Sequence, residues 1–160
     1  RYERFPDIWE NYAAEVGRDP DEFPFWAVTS RSMQYAWGAN VGLPLIREVA
    51  NNISGHDGVI INRTRAREAG IEEGDPITIE SAAGMSYGRA HLREGIRPDT
   101  VLMIGQFDHW ATPLAKDFGL ASLNTVTPLS LSLTDSTGSG ADLIRVAVHS
   151  GHRSKEGNVA

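Results

Sequence analysis

The sequence predicts a mainly β fold with short helices, closing into a barrel or nearly so. Three observations carry that prediction. At least five short runs have the apolar or alternating pattern of strands. The helices between them are small, with none of the long strand–helix alternation that builds a doubly wound sheet. Gly, Pro, Asn and Asp punctuate the runs at close intervals. No segment of about 20–50 residues recurs, which argues against a solenoid.

The elements follow in order. Residues 6–16 (PDIWENYAAEV) read as a helix: Pro6 suits the first turn, Ile8, Trp9, Tyr12 and Val16 fall near one face, and Gly17 stops it. GRDPDEFP reads as a linker, and Phe25–Thr29 as a strand. A polar loop with aromatics, SRSMQYAWGANVG, leads to a helix over 43–51.

The stretch VIINRTRAREAGIEEGDPITIES is the densest in signals. A strand at 59–61 meets Asn62, whose side-chain oxygen can cap a helix over 63–69. Gly70 supplies a left-handed exit, Ile71 enters the core, and Gly74-Asp75 turns the chain into a strand over 76–81. A hairpin loop at 82–85 precedes a strand over 87–93. A turn (EGIRPD) precedes another over 100–104. A long loop with room for a short helix covers 105–124, and LIRVAVH at 143–149 is the last strand. The polar tail HSGHRSKEGNVA is expected to fray.

The domain expectation is an N-terminal helix and linker over 1–24, a barrel over 25–150 and a flexible tail over 151–160. At 160 residues, 41% hydrophobic and 22% charged, the chain can bury an ordinary core. The formal net charge of −6 argues against binding along nucleic-acid backbones, while leaving room for a small anion held by a few arginines. No apolar run is long enough for a membrane-spanning helix. The absence of cysteine removes disulfides, a cysteine-held iron–sulfur cluster and a thiol nucleophile, and leaves the compartment unreadable. The start at Arg1, without a leader pattern, suggests a piece of a longer chain.

The series FWAVTSR, loop, helix, VIINRTRAREAGIEEGDPITIES, hairpin and GIRPDTVLM resembles the C-terminal domain of the molybdopterin oxidoreductases, the dimethyl-sulfoxide-reductase superfamily. Gly-Ile-x-x-Gly-Asp also marks other double-psi barrels. Thr29-Ser30-Arg31 upstream and Asn124 downstream narrow the resemblance to the molybdopterin family. It covers about residues 25–150 and implies a six-stranded double-psi β-barrel. Three positions depart from the family pattern: Arg63 in place of proline, Arg65 where an acidic residue is common, and Asp99 in place of glycine. They leave Arg63, Arg65 and Arg67 on one short helix, either a basic edge facing an acidic surface of the parent or an anion site.

The resemblance implies molybdopterin guanine dinucleotide, carrying molybdenum or tungsten, as cofactor. Gripping its long arms needs donors for a diphosphate, amides or carboxyls for a guanine edge, aromatic faces for stacking, and glycine for close approach. The loop over 29–42 offers Thr29, Ser30, Arg31, Ser32, Gln34, Tyr35 and Trp37. By resemblance, Arg31 and Ser32 match positions that contact a pterin arm, and residues 34–37 lie where the loop folds over it. The alternative is a polar surface turn with its aromatics tucked beneath. His109 and Trp110 could meet a pterin or serve the structure alone. Asn124 matches a family asparagine that hydrogen-bonds a pterin. Within ASLNTVTP it reads as a buried amide in need of a partner or as a turn-forming residue. The loop TDSTGSG, with Ser139, could cradle a phosphate with its amides or be an ordinary solvent loop.

No metal-ligand spacing, nucleophile elbow or enforced carboxylate pair is visible, so no catalytic residue is expected in these residues. The resemblance implies a parent catalytic subunit with its metal ligand and any iron–sulfur cluster upstream, an electron-transfer subunit as partner, and no catalysis by the isolated domain. The loops are nearest to the polysulfide, thiosulfate, arsenate and phenylacetyl-CoA branch. The main alternative is a double-psi barrel module that recognises a peptide or partner subunit. A pyruvoyl-type decarboxylase would need a self-cleaving Gly-Ser bond, for which Gly138-Ser139 is the one late pair.

Overall fold

The computed structural model describes residues 4–35, 43–53, 55, 58–104, 121–128 and 144–151. Among them α1 spans Phe5–Glu15, β1 Phe25–Ser30, α2 Pro44–Ala50, β2 Val59–Asn62, α3 Arg63–Glu68, β3 Pro76–Glu80, β4 Met85–Arg93, β5 Thr100–Ile104 and β6 Ile144–Ser150. The expected strands and the helices at 6–16, 43–51 and 63–69 are present, with ends shifted by a residue or two, while residues 105–120, where a short helix had room, and the tail from 152 lie outside the described residues. The stretch read as a linker holds a 3-10 turn, Pro20–Glu22. Asp19 and Glu22 close it by each accepting a hydrogen bond from the other's end of the turn.

The six strands close into a ring in the order β1-β5-β2-β4-β3-β6. β1 runs parallel to β5 and β2 parallel to β4; the other four pairings are antiparallel. The expected double-psi β-barrel is the observed fold. Alternate strand residues fill the interior: Ala27, Val59, Ile61, Ile77, Ile79, Ala90, Leu92, Val101, Met103, Ile144 and Val146 are all buried. Burying one large side chain of this kind contributes about 1.5–3 kcal/mol, against about 0–1 kcal/mol for an exposed ion pair. The interior therefore holds the ring, and the many surface arginine–carboxylate pairs trim it.

The N-terminal segment joins this core. Trp9 and Tyr12 are buried with Phe25 in the same cluster, and Trp9 meets the edge of Phe23 at 6.3 Å between ring centres. A second, small cluster lies outside the ring, where Tyr35, Ala50 and Ile104 pack with Ile46, Ile60 and Leu102. It seats α2 on the outer faces of β2 and β5. Gly55 and Gly58 then carry the chain against His91; a β-carbon on Gly58 would fall 2.0 Å from the His91 ring.

The pairing directions sort the connections between two poles. The C-terminal ends of β1, β3 and β5 and the N-terminal ends of β2, β4 and β6 share one pole. It carries the β1–β2 loop with α2, the β3–β4 hairpin and the β5–β6 connection. The other pole carries α3 and the turn over 94–99. There Asn62 accepts hydrogen bonds from the Thr64 and Arg65 amides and donates to the Ile96 carbonyl at 2.9 Å. Gly70 and Gly74 have the expected positive φ, and Ile71 is buried. Asp99 grips the Arg97 guanidinium and accepts from the Thr100 hydroxyl, so it serves its turn through its side chain.

Candidate functional site

The first pole gathers the loops that the sequence singles out. β1 brings Thr29 and Ser30 to its exposed end, level with Met103 and Ile104 of β5. Arg31 follows, exposed. The Ser32 hydroxyl donates to the Gln34 side-chain oxygen, which folds the loop back on itself. Tyr35 is 4% exposed and packs with Ala50 and Ile104. Its ring roots the loop on α2; Thr29, Ser30 and Arg31 are exposed, and Ser32 and Gln34 are half-buried. Trp37, His109, Trp110 and Ser139 lie outside the described residues.

Residues 121–128 plug the mouth of the barrel at this pole. Ala121 and Val126 belong to the main core. On the hairpin side the plug rests on the inward face of β4, where a β-carbon on Gly88 would approach that of Ala121 to 2.9 Å, and one on Gly84 would reach the Thr125 carbonyl oxygen at 2.5 Å. The chain turns at 123–127, with the Val126 and Thr127 amides both donating to the Leu123 carbonyl. Asn124 sits on the outside of that turn, exposed, with no hydrogen-bond partner among the described residues. Of the two readings of Asn124, the buried amide gives way to the turn residue: Leu123 and Val126 turn inward, and the carboxamide is left facing out.

The residues that hold this plug are two serines that no sequence pattern marks. Ser81 Oγ donates to the Val126 carbonyl at 2.6 Å and accepts from the Ala83 and Gly84 amides. Ser86 Oγ accepts from the Ser122 amide at 2.7 Å. Both serines are buried. A serine in a strand carries no local mark of a partner so far along the chain.

The opposite pole holds an open pocket of about 550 Å³ lined by Arg63, Arg67, Glu72, Glu73, Leu92 and Arg93. Two of its three arginines meet carboxylates. Arg63 lies 3.1 Å from Glu94, and Arg93 lies 3.4 Å from Glu73. Glu73 also takes the His91 ring at 2.8 Å and the Leu92 amide at 2.7 Å. Partial burial alone would raise the Glu73 pKa. The hydrogen bonds from His91 and Leu92, with the charges of His91 and Arg93, outweigh that and hold it below the usual carboxylate value. Beside α3, Arg65 pairs with Glu68 at 2.5 Å. Arg63 and Arg65 of α3 thus each lie against a carboxylate of this chain. Among the described residues no cluster of His, Asp or Glu could hold a metal ion, and no helix is long and apolar enough to cross a membrane.

The profile of the molydopterin dinucleotide binding domain matches residues 29–141, from the end of β1 through the loops of the first pole. The chain belongs to that family. This molydopterin dinucleotide binding domain is 31% identical over 97 residues to the molybdopterin-containing subunit of arsenate respiratory reductase from Shewanella sp. (strain ANA-3), a match covering 58% of the chain and 11% of the relative. It is 36% identical over 66 residues to the molybdopterin-containing subunit of thiosulfate reductase from Salmonella typhimurium, covering 41% of the chain and 8% of that relative. Acetylene hydratase from Pelobacter acetylenicus superposes with a TM-score of 0.70 at 14% identity, over 92% of this chain and 21% of that one, and shares its fold. The domain thus spans about a tenth of the curated relatives it matches.

Proposed function

We propose that this domain grips the guanine-dinucleotide arms of a bis-pterin molybdenum or tungsten cofactor, within a larger oxidoreductase of the arsenate and thiosulfate reductase branch. One observation supports the reading most: the β1–β2 loop, with Arg31, and the β5–β6 connection, with Asn124, leave the barrel at one pole. The donors there fit the group. Arg31 offers a planar fork for a diphosphate. Thr29, Ser30, Ser32 and Gln34 add hydroxyl and amide contacts, and the exposed Asn124 carboxamide can both donate and accept against a flat pterin or guanine edge. Trp37, His109, Trp110 and Ser139 remain proposed contacts on the same two connections.

When bound, the group supplies two-electron chemistry at its metal; the residues of this chain hold and orient its arms. The metal-ligating side chain, an iron–sulfur cluster and the contact with an electron-transfer subunit belong, in this reading, to the rest of the parent. The isolated domain is then catalytically inert.

The test is the metal and pterin content of the full-length parent carrying Arg31→Ala or Asn124→Ala. Each variant is expected to lose cofactor several-fold while the barrel stays folded. Wild-type content in both would remove this pole from the site.

A second reading, contact with another polypeptide, draws on α2. Leu45 and Val49, one turn apart on the side away from the barrel, are 72% and 54% exposed. A helix apolar on both sides is expected between two layers of protein.

A further inference from the structure

We propose that Ser81 and Ser86 are positioning residues that set the height and orientation of Asn124 at the cofactor pole. The inference rests on the reading of that pole as the pterin-arm site, and adds the residues that make it rigid.

The inward face of β4 carries the contacts. Its alternation places Ser86 and Gly88 inward, with Gly84 just before the strand against the same plug. The two glycines lack the β-carbons that would strike Thr125 and Ala121, so the plug lies flat on the barrel mouth. The two serines fasten it on either side of Asn124. Ser86 holds the Ser122 amide, two residues before it, and Ser81 holds the Val126 carbonyl, two residues after. The Thr125 hydroxyl closes the span by donating to the Ser122 carbonyl at 2.9 Å. Asn124 is thus a short outward bracket pinned at both feet.

Ser81 has a second duty that couples hairpin to plug. Its single oxygen accepts the Ala83 and Gly84 amides while donating to Val126, so the hairpin and the plug share one buried atom. A carboxamide aimed at a ligand by a turn that could sway would lose much of its binding energy to ordering. Fastening both feet removes that cost before the ligand arrives.

The test uses the full-length parent with cofactor, and hydrogen exchange as a reading independent of activity. Ser86→Ala is expected to speed exchange over residues 121–127 by about tenfold and to lower pterin and metal content several-fold. Gly84→Ala leaves both serine side chains in place and presses on the Thr125 carbonyl, so it should lower cofactor content through the same span even if Ser86→Ala fails to fold. Asn124→Ala should lower content with exchange unchanged. Faster exchange in Ser86→Ala with full cofactor content would overturn the positioning role and leave the pole intact as a site. Full content in Asn124→Ala would overturn the positioning role, since the bracket would then hold nothing the cofactor needs, and the reading of the pole as a site would fall only if Arg31→Ala also kept full content. Unchanged exchange in Ser86→Ala would show that the bond does not hold the turn, and would overturn the proposal alone.

Discussion

Arg18 and Glu80 meet at 2.9 Å, tying the segment after α1 to the end of β3. The same carboxylate takes the His149 ring at 3.0 Å, so three separate parts of the chain converge on one half-buried side chain. Glu80→Ala removes the shared acceptor. The expected loss is about 1–2 kcal/mol, more than an exposed pair because Glu80 is mostly shielded. Urea unfolding followed by tryptophan fluorescence measures it, and an unchanged midpoint would reduce the contact to surface decoration.

Asn62 serves two neighbours at once, capping α3 and holding the turn before β5 through Ile96. Asn62→Ala should cost about 2–3 kcal/mol, the cap and the orphaned carbonyl together. Asn62→Asp keeps the cap and loses the donor to Ile96, so its cost should fall between those of Ala and wild type. Equal losses in the two variants would show that the cap is idle.

Glu73 gives a pH dependence with a definite sign. Its folded pKa lies below the ordinary 4.5, so its contribution is present above that value and is lost as pH falls through the depressed one. The stability difference between wild type and Glu73→Gln should therefore shrink on acidification below about pH 4.5. A difference that stays constant down to the acid transition would refute the assignment.

The outer and inner sides of α2 should respond oppositely. Leu45→Lys or Val49→Lys changes stability of this chain by less than about 0.5 kcal/mol. Ile46→Ala, which opens the cluster around Tyr35 and Ile104, should cost about 1–3 kcal/mol, below a full core deletion because Ile46 is only partly buried. Thermal melts of the three variants check both halves. A large loss in the lysine variants would place those side chains inside the domain's own packing.

Much of the fold was legible because its signals are local. The Asn62 cap and the turns at Gly70 and Gly74 act on neighbours within a few residues, and the structure uses each as the sequence suggests, whereas the Asn62 bond to Ile96 spans the barrel's end and had no local mark. The strand order was not legible from periodicity, since alternation says which face is buried and not which strand lies alongside; the family resemblance supplied the barrel and left the order to the structure. The loops proposed for the site were singled out by their residue types together with the family resemblance; the exposure of Asn124 was not foreseen, because its apolar neighbours suggested burial and a turn reverses that inference. The fastening by Ser81 and Ser86 was invisible, since it joins residues 45 and 36 apart in sequence. The departure at Asp99 is filled by a side-chain clasp with Arg97.

The ring order has a consequence for biosynthesis. β1 finds its two neighbours only in β5 and β6, and β6 is also the second neighbour of β3. A ribosome must therefore release residues up to about 150 before the cylinder can shut, and until then β1 and β3 each keep an unpaired flank open to stray strand addition. A stop codon ahead of β6 would leave that flank permanently bare, and the truncated product should aggregate and not persist as a smaller soluble barrel.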